Sequence, residues 1–275
     1  MRQQEFGLQS RNLPRMTPSI LASSVLALSA AFAIPAAAAS PPNSSDSAVG
    51  IDTHFESGGM GTHLGPVGKV SHDNNGAYDK TVHVGKINET APIIDQNPTP
   101  TIFINAGNVN SEVKSSGIEI DSETSQASSS VGNASLMLNL NPLPPEANPV
   151  APLPYLQITG KNFTSQANFN KVFPSNVTAN GSASVHNLQI IGSLVGGQTL
   201  TYSGSAPPNT VLYDSPTVTV TLNRQMQVGL ISCSPNCVYT PYSITVTALA
   251  IDLNKADVDG HKVTGEIVIG ESAAQ

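Results

Sequence analysis

The chain has no tryptophan and only two cysteines, and charged residues make up 11 % of it, less than half the usual globular share. Each scarcity removes a class of function. Without tryptophan, the largest stacking platform for a sugar ring is missing. Two cysteines with no histidine beside them are too few for a zinc centre. Twelve Lys and Arg against nineteen Asp and Glu give a net charge of −7. Scattered lysines on an acidic chain leave no footprint for nucleic acid or anionic lipid, so nucleic acid is excluded as a partner. Neither G-x-S-x-G nor H-E-x-x-H occurs, so no serine-hydrolase elbow or zincin helix is written in the chain. Nothing after residue 40 keeps a 3.6-residue apolar period, which argues against helices.

What is there begins with a leader. Arg2, Arg11 and Arg15 precede an uncharged apolar stretch from Ile20 to Ala39, and Ala37-Ala38-Ala39 before Ser40 reads as a small-residue cleavage site. That order is the order of a secretory signal peptide. A single membrane anchor is the competing reading. Pro35, the Ala/Ser composition and the lack of a basic stop-transfer cluster favour cleavage. Losing residues 1–39 removes three arginines and one glutamate, so the net charge moves from −7 to −9. The organisation expected is a signal peptide over 1–39, a flexible linker over 40–48, and one all-β domain over 49–275. The mature chain is then secreted, with no stable membrane span.

Cysteine use fits export. Cys233 and Cys237 enclose Ser-Pro-Asn, and an oxidising compartment favours a disulfide closing that tight turn. So short a loop constrains the unfolded chain little, which puts the bond at about 1–2 kcal/mol.

The rest of the sequence alternates. Lys80–Val84, Thr101–Asn105, Gly117–Asp121 and Ser135–Leu140 are short period-two runs, and Asn141–Pro154 carries six prolines. Proline has no ladder N–H, so that stretch reads as a linker or a crossing between sheets. Tyr155–Thr159, Asn162–Phe169 and Ser182–Ile191 follow, with Asn180-Gly181 as a turn signal. Val218, Val220 and Leu222 then alternate with Thr217, Thr219 and Thr221. In Ser243–Leu253 the apolar parity switches from even to odd positions, which implies a bulge near Ala248 or a strand buried on both faces. Asp259-Gly260 turns the chain into Lys262–Gly270, and the cysteine loop sits where a hairpin tip belongs.

Several phrases resemble the bacterial choice-of-anchor P family. They are V-T-V-T-L-N-R-Q (218–225), S-I-T-V-T-A-L-A-I-D-L (243–253), G-E-I-V-I-G-E-S-A (265–273) and G-S-A-S-V-H-N-L-Q-I-I-G (181–192). L-G-P-V-G-K-V-S (64–71) and A-Y-D-K-T-V (77–82) resemble its amino-terminal end more faintly. The resemblance implies an exported protein with no known activity, held at a surface by a carboxyl-terminal anchor. No sorting motif or hydrophobic tail closes this chain, so the form it is similar to is unanchored and released.

The remaining candidates each have a plainer explanation. Asp257, Asp259, Gly260 and Glu266 match four positions of an EF-hand loop, but Lys255 stands at the first and strands flank it; an Asp-Gly hairpin explains them. Glu119, Asp121 and Glu123 would line one strand face, where unpaired carboxylates are usually solvated. His54, His63, His72 and His83 lie near Asp52, Glu56 and Asp73, without a spacing that sets two histidines on one face beside a third ligand. Tyr202, Tyr213, Tyr239 and Tyr242 could form a sugar platform, though core packing explains them as well. No catalytic, cofactor or metal residue is assigned.

The reading is an all-β antiparallel β-sandwich, with a β-solenoid as the alternative. Its expected role is non-catalytic: a structural or adhesion-type surface protein that meets extracellular macromolecules. A carbohydrate-binding module or hydrolase is the alternative.

Overall fold

A computed structural model describes residues 45–73, 77–93, 100–116, 122–140, 154–172, 176–233 and 237–275. Those residues form thirteen strands and one 3-10 turn, Ser193–Val195. One sheet runs in the order β10 (Thr210–Asp214), β11 (Val218–Cys233), β12 (Cys237–Val258), β13 (His261–Ala274), β1 (Ser45–Ser57) and β2 (Met60–Val67). β3 (Val70–Asp73) pairs with β1 beyond β2. The second sheet is a meander of β4 (Tyr78–Pro92), β5 (Pro100–Ser115), β6 (Ser122–Leu140), β7 (Leu156–Val172), β8 (Asn176–Ile191) and β9 (Thr199–Ser205). Every pairing is antiparallel. β12 and β13 face β6, β7 and β8, and β1 faces β5 and β6. This is a two-layer sandwich, and the solenoid alternative falls.

Three expectations change. β1 opens at Ser45, inside the stretch read as a linker over 40–48. Its first turns alternate small residues, with Asp46 and Ala48 inward, a pattern that lacks the bulk of a recognisable strand. Residues 141–153 lie outside the described residues, but β6 and β7 on either side are hydrogen-bonded neighbours. The proline-rich segment therefore joins two strands of one sheet. The crossings between sheets fall instead after β3 and after β9. Asn180-Gly181 is not a turn either; it lies inside β8, opposite Asn168 and Ala167. Gly181 is there for close approach, since a Cβ would sit 2.2 Å from Val246 Cγ2 on the facing sheet. The Asp259-Gly260 turn holds, with both residues at positive φ.

The parity switch read near Ala248 is general. In β5 the inward residues are Ile102, Ile104 and Ala106, then Val109, Ser111 and Val113. In β6 they are Ser125, Ala127, Ser129 and Val131, then Ala134, Leu136 and Leu138. β1, β7, β8, β12 and β13 switch in the same way. The switch points align. Asn108, Gly132 and Asn162 face one another across β5, β6 and β7, and Asn223, Ala248 and Gly270 do so across β11, β12 and β13. Asn108, Asn162, Asn187, Asn223 and Gly270 all have φ between 47° and 67°. A left-handed residue turns the next side chain to the opposite face, and Asn and Gly tolerate that conformation best. Because neighbouring strands each switch at the same level, the ladder keeps one register through Leu222–Leu249 and Arg224–Thr247. Ala248 thus marks an aligned seam, and no register shift occurs there.

The seam separates two kinds of interior. On one side Phe55, Ile102, Leu136, Leu138, Leu156 and Ile158 are fully buried. Burying such side chains stabilises by about 1.5–3 kcal/mol each. On the other side lie Ala48, Val70, Val113 and Ala127, with buried Ser111, Ser125, Ser129, Ser165 and Ser272. Ser129 Oγ donates to the Val49 carbonyl at 2.8 Å, and the Ser165 and Ser272 hydroxyls bond each other across the layers. Phe163, Phe169, Ile244 and Val246 are buried on that side as well.

Candidate functional site

The outer face of the first sheet gathers charge. Arg224, on β11 next to the seam, lies along the sheet and is mostly covered. Its Nη1 donates to Asp252 Oδ1 at 3.2 Å and its Nη2 donates to Glu266. Glu271 accepts from Thr247 Oγ1 at 3.2 Å. Burial pushes the Glu271 carboxyl above its ordinary range, opposed by the Thr247 bond and the Arg224 charge. Beyond it, His63 Nε2 meets Asp52 Oδ1 at 2.6 Å, and His54 lies 3.4 Å from Glu56.

His54 and His63 stand opposite each other in the β1–β2 ladder, with ring centroids 6.0 Å apart. Sequence spacing did not bring these two together, because the hairpin pairs residues nine apart. His72 stacks on Tyr78 at 3.9 Å, and His83 bonds Asn110. The side chain of Asp73 lies outside the described residues. Among the described residues no three His, Cys, Asp or Glu side chains gather as metal ligands.

The EF-hand-like residues separate. Asp257 accepts from the Gly260 N–H at 2.9 Å and from Lys262 Nζ at 2.9 Å. Those partners, Lys262 foremost, hold its carboxyl below the usual value. Glu266 is taken by Arg224, and Asp259 holds the hairpin turn. Of the acidic trio, Glu119 and Asp121 fall outside the described residues, and Glu123 opens β6 opposite Lys171. Cys233 and Cys237 are register partners closing the β11–β12 hairpin, as expected of that loop; their side chains and residues 234–236 lie outside the described residues.

The outer face of the second sheet is broad and mainly polar, with charge in the pairs of Lys114 with Asp79 and Glu112 and in Lys161. Asn88, Asn105, Ser135, Thr159, Gln189 and Thr201 stand in one line across all six strands. A second line runs His83, Asn110, Ser130, Thr164, Ser184 and Ser205. Along the seam a hollow of about 320 Å³ is bordered by Asn105, Asn133, Thr159, Lys161 and Asn187. A second hollow, about 590 Å³, continues from Asn187 past Gln189 to Tyr202.

The third feature is a protruding hairpin. β13 ends opposite Ile244. On the other edge the Gln225 N–H is capped by Asn209 Oδ1 at 2.8 Å. From Met226 to Ser243 the ribbon therefore pairs only with itself. Met226, Val228, Leu230, Ile231, Val238, Tyr239 and Tyr242 on it are all between 42 % and 69 % exposed. The Tyr239 ring lies over Gly229, where a Cβ would sit 2.7 Å from its Cζ. Of the four tyrosines weighed as a sugar platform, Tyr202 and Tyr213 pack on the core while Tyr239 and Tyr242 stand on this ribbon. They are divided among β9 of the second sheet and β10 and β12 of the first.

Comparison with known proteins finds no matching family model, no similar curated protein and no similar solved structure.

Proposed function

We propose that the chain is an exported, non-catalytic structural or adhesion module whose second sheet docks on extended, uncharged extracellular polymers. The observation that carries this is the outer face of that sheet, with Asn, Gln, Ser and Thr in register across its strands. Amides and hydroxyls both donate and accept hydrogen bonds, which suits a neutral polymer such as a polysaccharide. The hollows along the seam fit this reading better than a hydrolase, because neither is lined by a histidine or a carboxylate. In this reading residues 1–39 are removed on export and Cys233 and Cys237 are joined. The phrases resembling the choice-of-anchor P family agree with a surface role.

The test is co-sedimentation of the secreted protein with insoluble cell-wall polysaccharide, followed by assay of the supernatant for released fragments. Retention without release is expected, and Thr159→Arg with Gln189→Glu should weaken retention about tenfold. Steady release of soluble sugar would overturn the non-catalytic reading. Mass spectrometry of the same material should place the first residue at Ser40 and show the two thiols oxidised.

A further inference from the structure

We propose that the protruding β11–β12 ribbon is a homodimerisation arm, which docks against the same arm of a second copy of this chain. The inference is independent of the polymer-binding reading, since it concerns a different surface.

Monomeric proteins rarely expose a large contiguous apolar patch. Here the ribbon is apolar on both sides. Met226, Val228 and Leu230 alternate on the outer side of the sheet, with Val238 at the end of the same face. Ile231 and its register partner Tyr239 project from the other side and are exposed. A two-stranded hairpin with no third strand is marginally stable in water. Seven side chains each showing about half of their surface offer on the order of 700 Å². Shared between the two sides of the ribbon, that sum approaches the ~800 Å² per partner of a standard interface.

Charge selects the occupant. The chain carries a net charge of −7, so two copies repel wherever acidic surface meets acidic surface. Between Arg224 and Asp252 lie 27 residues without a single Asp, Glu, Lys, Arg or His. The arm sits inside that stretch, where a like-charged copy meets no penalty. Its β11 edge is also unprotected. Exposed edges are usually blunted by lysine, proline or a bulge. Pro241 and a register shift between Val228 and Gly229 interrupt the β12 side, whereas Met226–Cys233 contains neither proline nor charge. A two-fold axis that sets β11 against β11 satisfies those edge groups and sets Met226, Val228 and Leu230 beside their copies across the joint.

Sedimentation equilibrium of the intact protein across about 1–100 µM tests this, the range in which an interface of this size reports its affinity. Wild type should run as a dimer, and Leu230→Asp should weaken association at least tenfold while keeping the same circular dichroism spectrum. Amide exchange of residues 226–233 should slow as protein concentration rises, a readout that needs no variant. A wild-type monomer throughout, a Leu230→Asp dimer, or concentration-independent exchange would each overturn the proposal. A monomer that co-sediments with phosphatidylcholine vesicles would overturn it in favour of a lipid surface.

Discussion

Asp46 stands in a stretch that reads as linker, and yet its carboxyl is fully buried. The Tyr78 hydroxyl donates to Oδ2, and the Gln275 backbone N–H donates to Oδ1 at 3.0 Å. One side chain thereby ties the first strand to the last residue, 229 positions away. Burial raises the Asp46 pKa, against the pull of its hydrogen bonds, and both burial and the facing carboxylate raise that of Tyr78. An acid whose pKa rises on folding favours the fold below its ordinary value of 3.8, and that contribution is lost as pH climbs through the folded value. Asp46→Asn has no such dependence. Urea midpoints of the two proteins, followed upward from about pH 4, should separate progressively in favour of Asn. Parallel curves would show that Asp46 is not the titrating group. Asp46→Ala instead removes the acceptor of both hydrogen bonds, at a cost of about 1–3 kcal/mol. No local pattern marks this residue, because its partners come from β4 and the chain end.

At the scale of the element, period two identified the strands but not their lengths. Tyr155–Thr159 and Asn162–Phe169 read as two strands because the alternation breaks at Gly160, Lys161 and Asn162. They are one strand, β7, crossing the seam. The same break made Ser243–Leu253 look anomalous: the parity does switch at Ala248, but without the bulge expected there, since the ladders on both sides keep their register. What the single sequence could not display is the alignment of the breaks, which exists only once the strands are paired. The seam also explains the asparagines. Asn162 has φ 49° and is exposed, so a substitution there reports backbone strain with little loss of packing. Asn162→Val should destabilise by about 1–2 kcal/mol, since a left-handed conformation brings a branched Cβ against the backbone. Asn162→Gly should stay within about 0.5 kcal/mol of wild type, because glycine accepts that conformation freely. Urea unfolding measures both. Equal effects from Val and Gly would mean that the amide side chain, not the backbone, is what the position needs.

For the whole molecule, the all-β sandwich was legible because turn signals and alternation survive averaging over many strands. The candidate surfaces were not. Val, Ile and Leu occur at both buried and exposed positions, and which apolar residues stay in water depends on where neighbouring strands end. Val211 on β10 and Ile267 on β13 illustrate this. Each lies in an apolar run, yet Val211 is 53 % exposed on an edge strand, while Ile267 is fully buried between Thr53 and Ile251. β13 is the strand that joins the two ends of the chain, pairing with β1 on one side and β12 on the other, and it faces β6 and β7. A cavity at Ile267 therefore weakens both sheets at once. Ile267→Ala should cost about 2–5 kcal/mol, with the circular dichroism and tyrosine fluorescence transitions shifting together, as a single cooperative unit requires. Val211→Ala should change stability by less than about 0.5 kcal/mol. If the Ile267 variant split the two transitions, the sheets would be unfolding separately, and the β1–β13 pairing would not be what makes the sandwich one cooperative body.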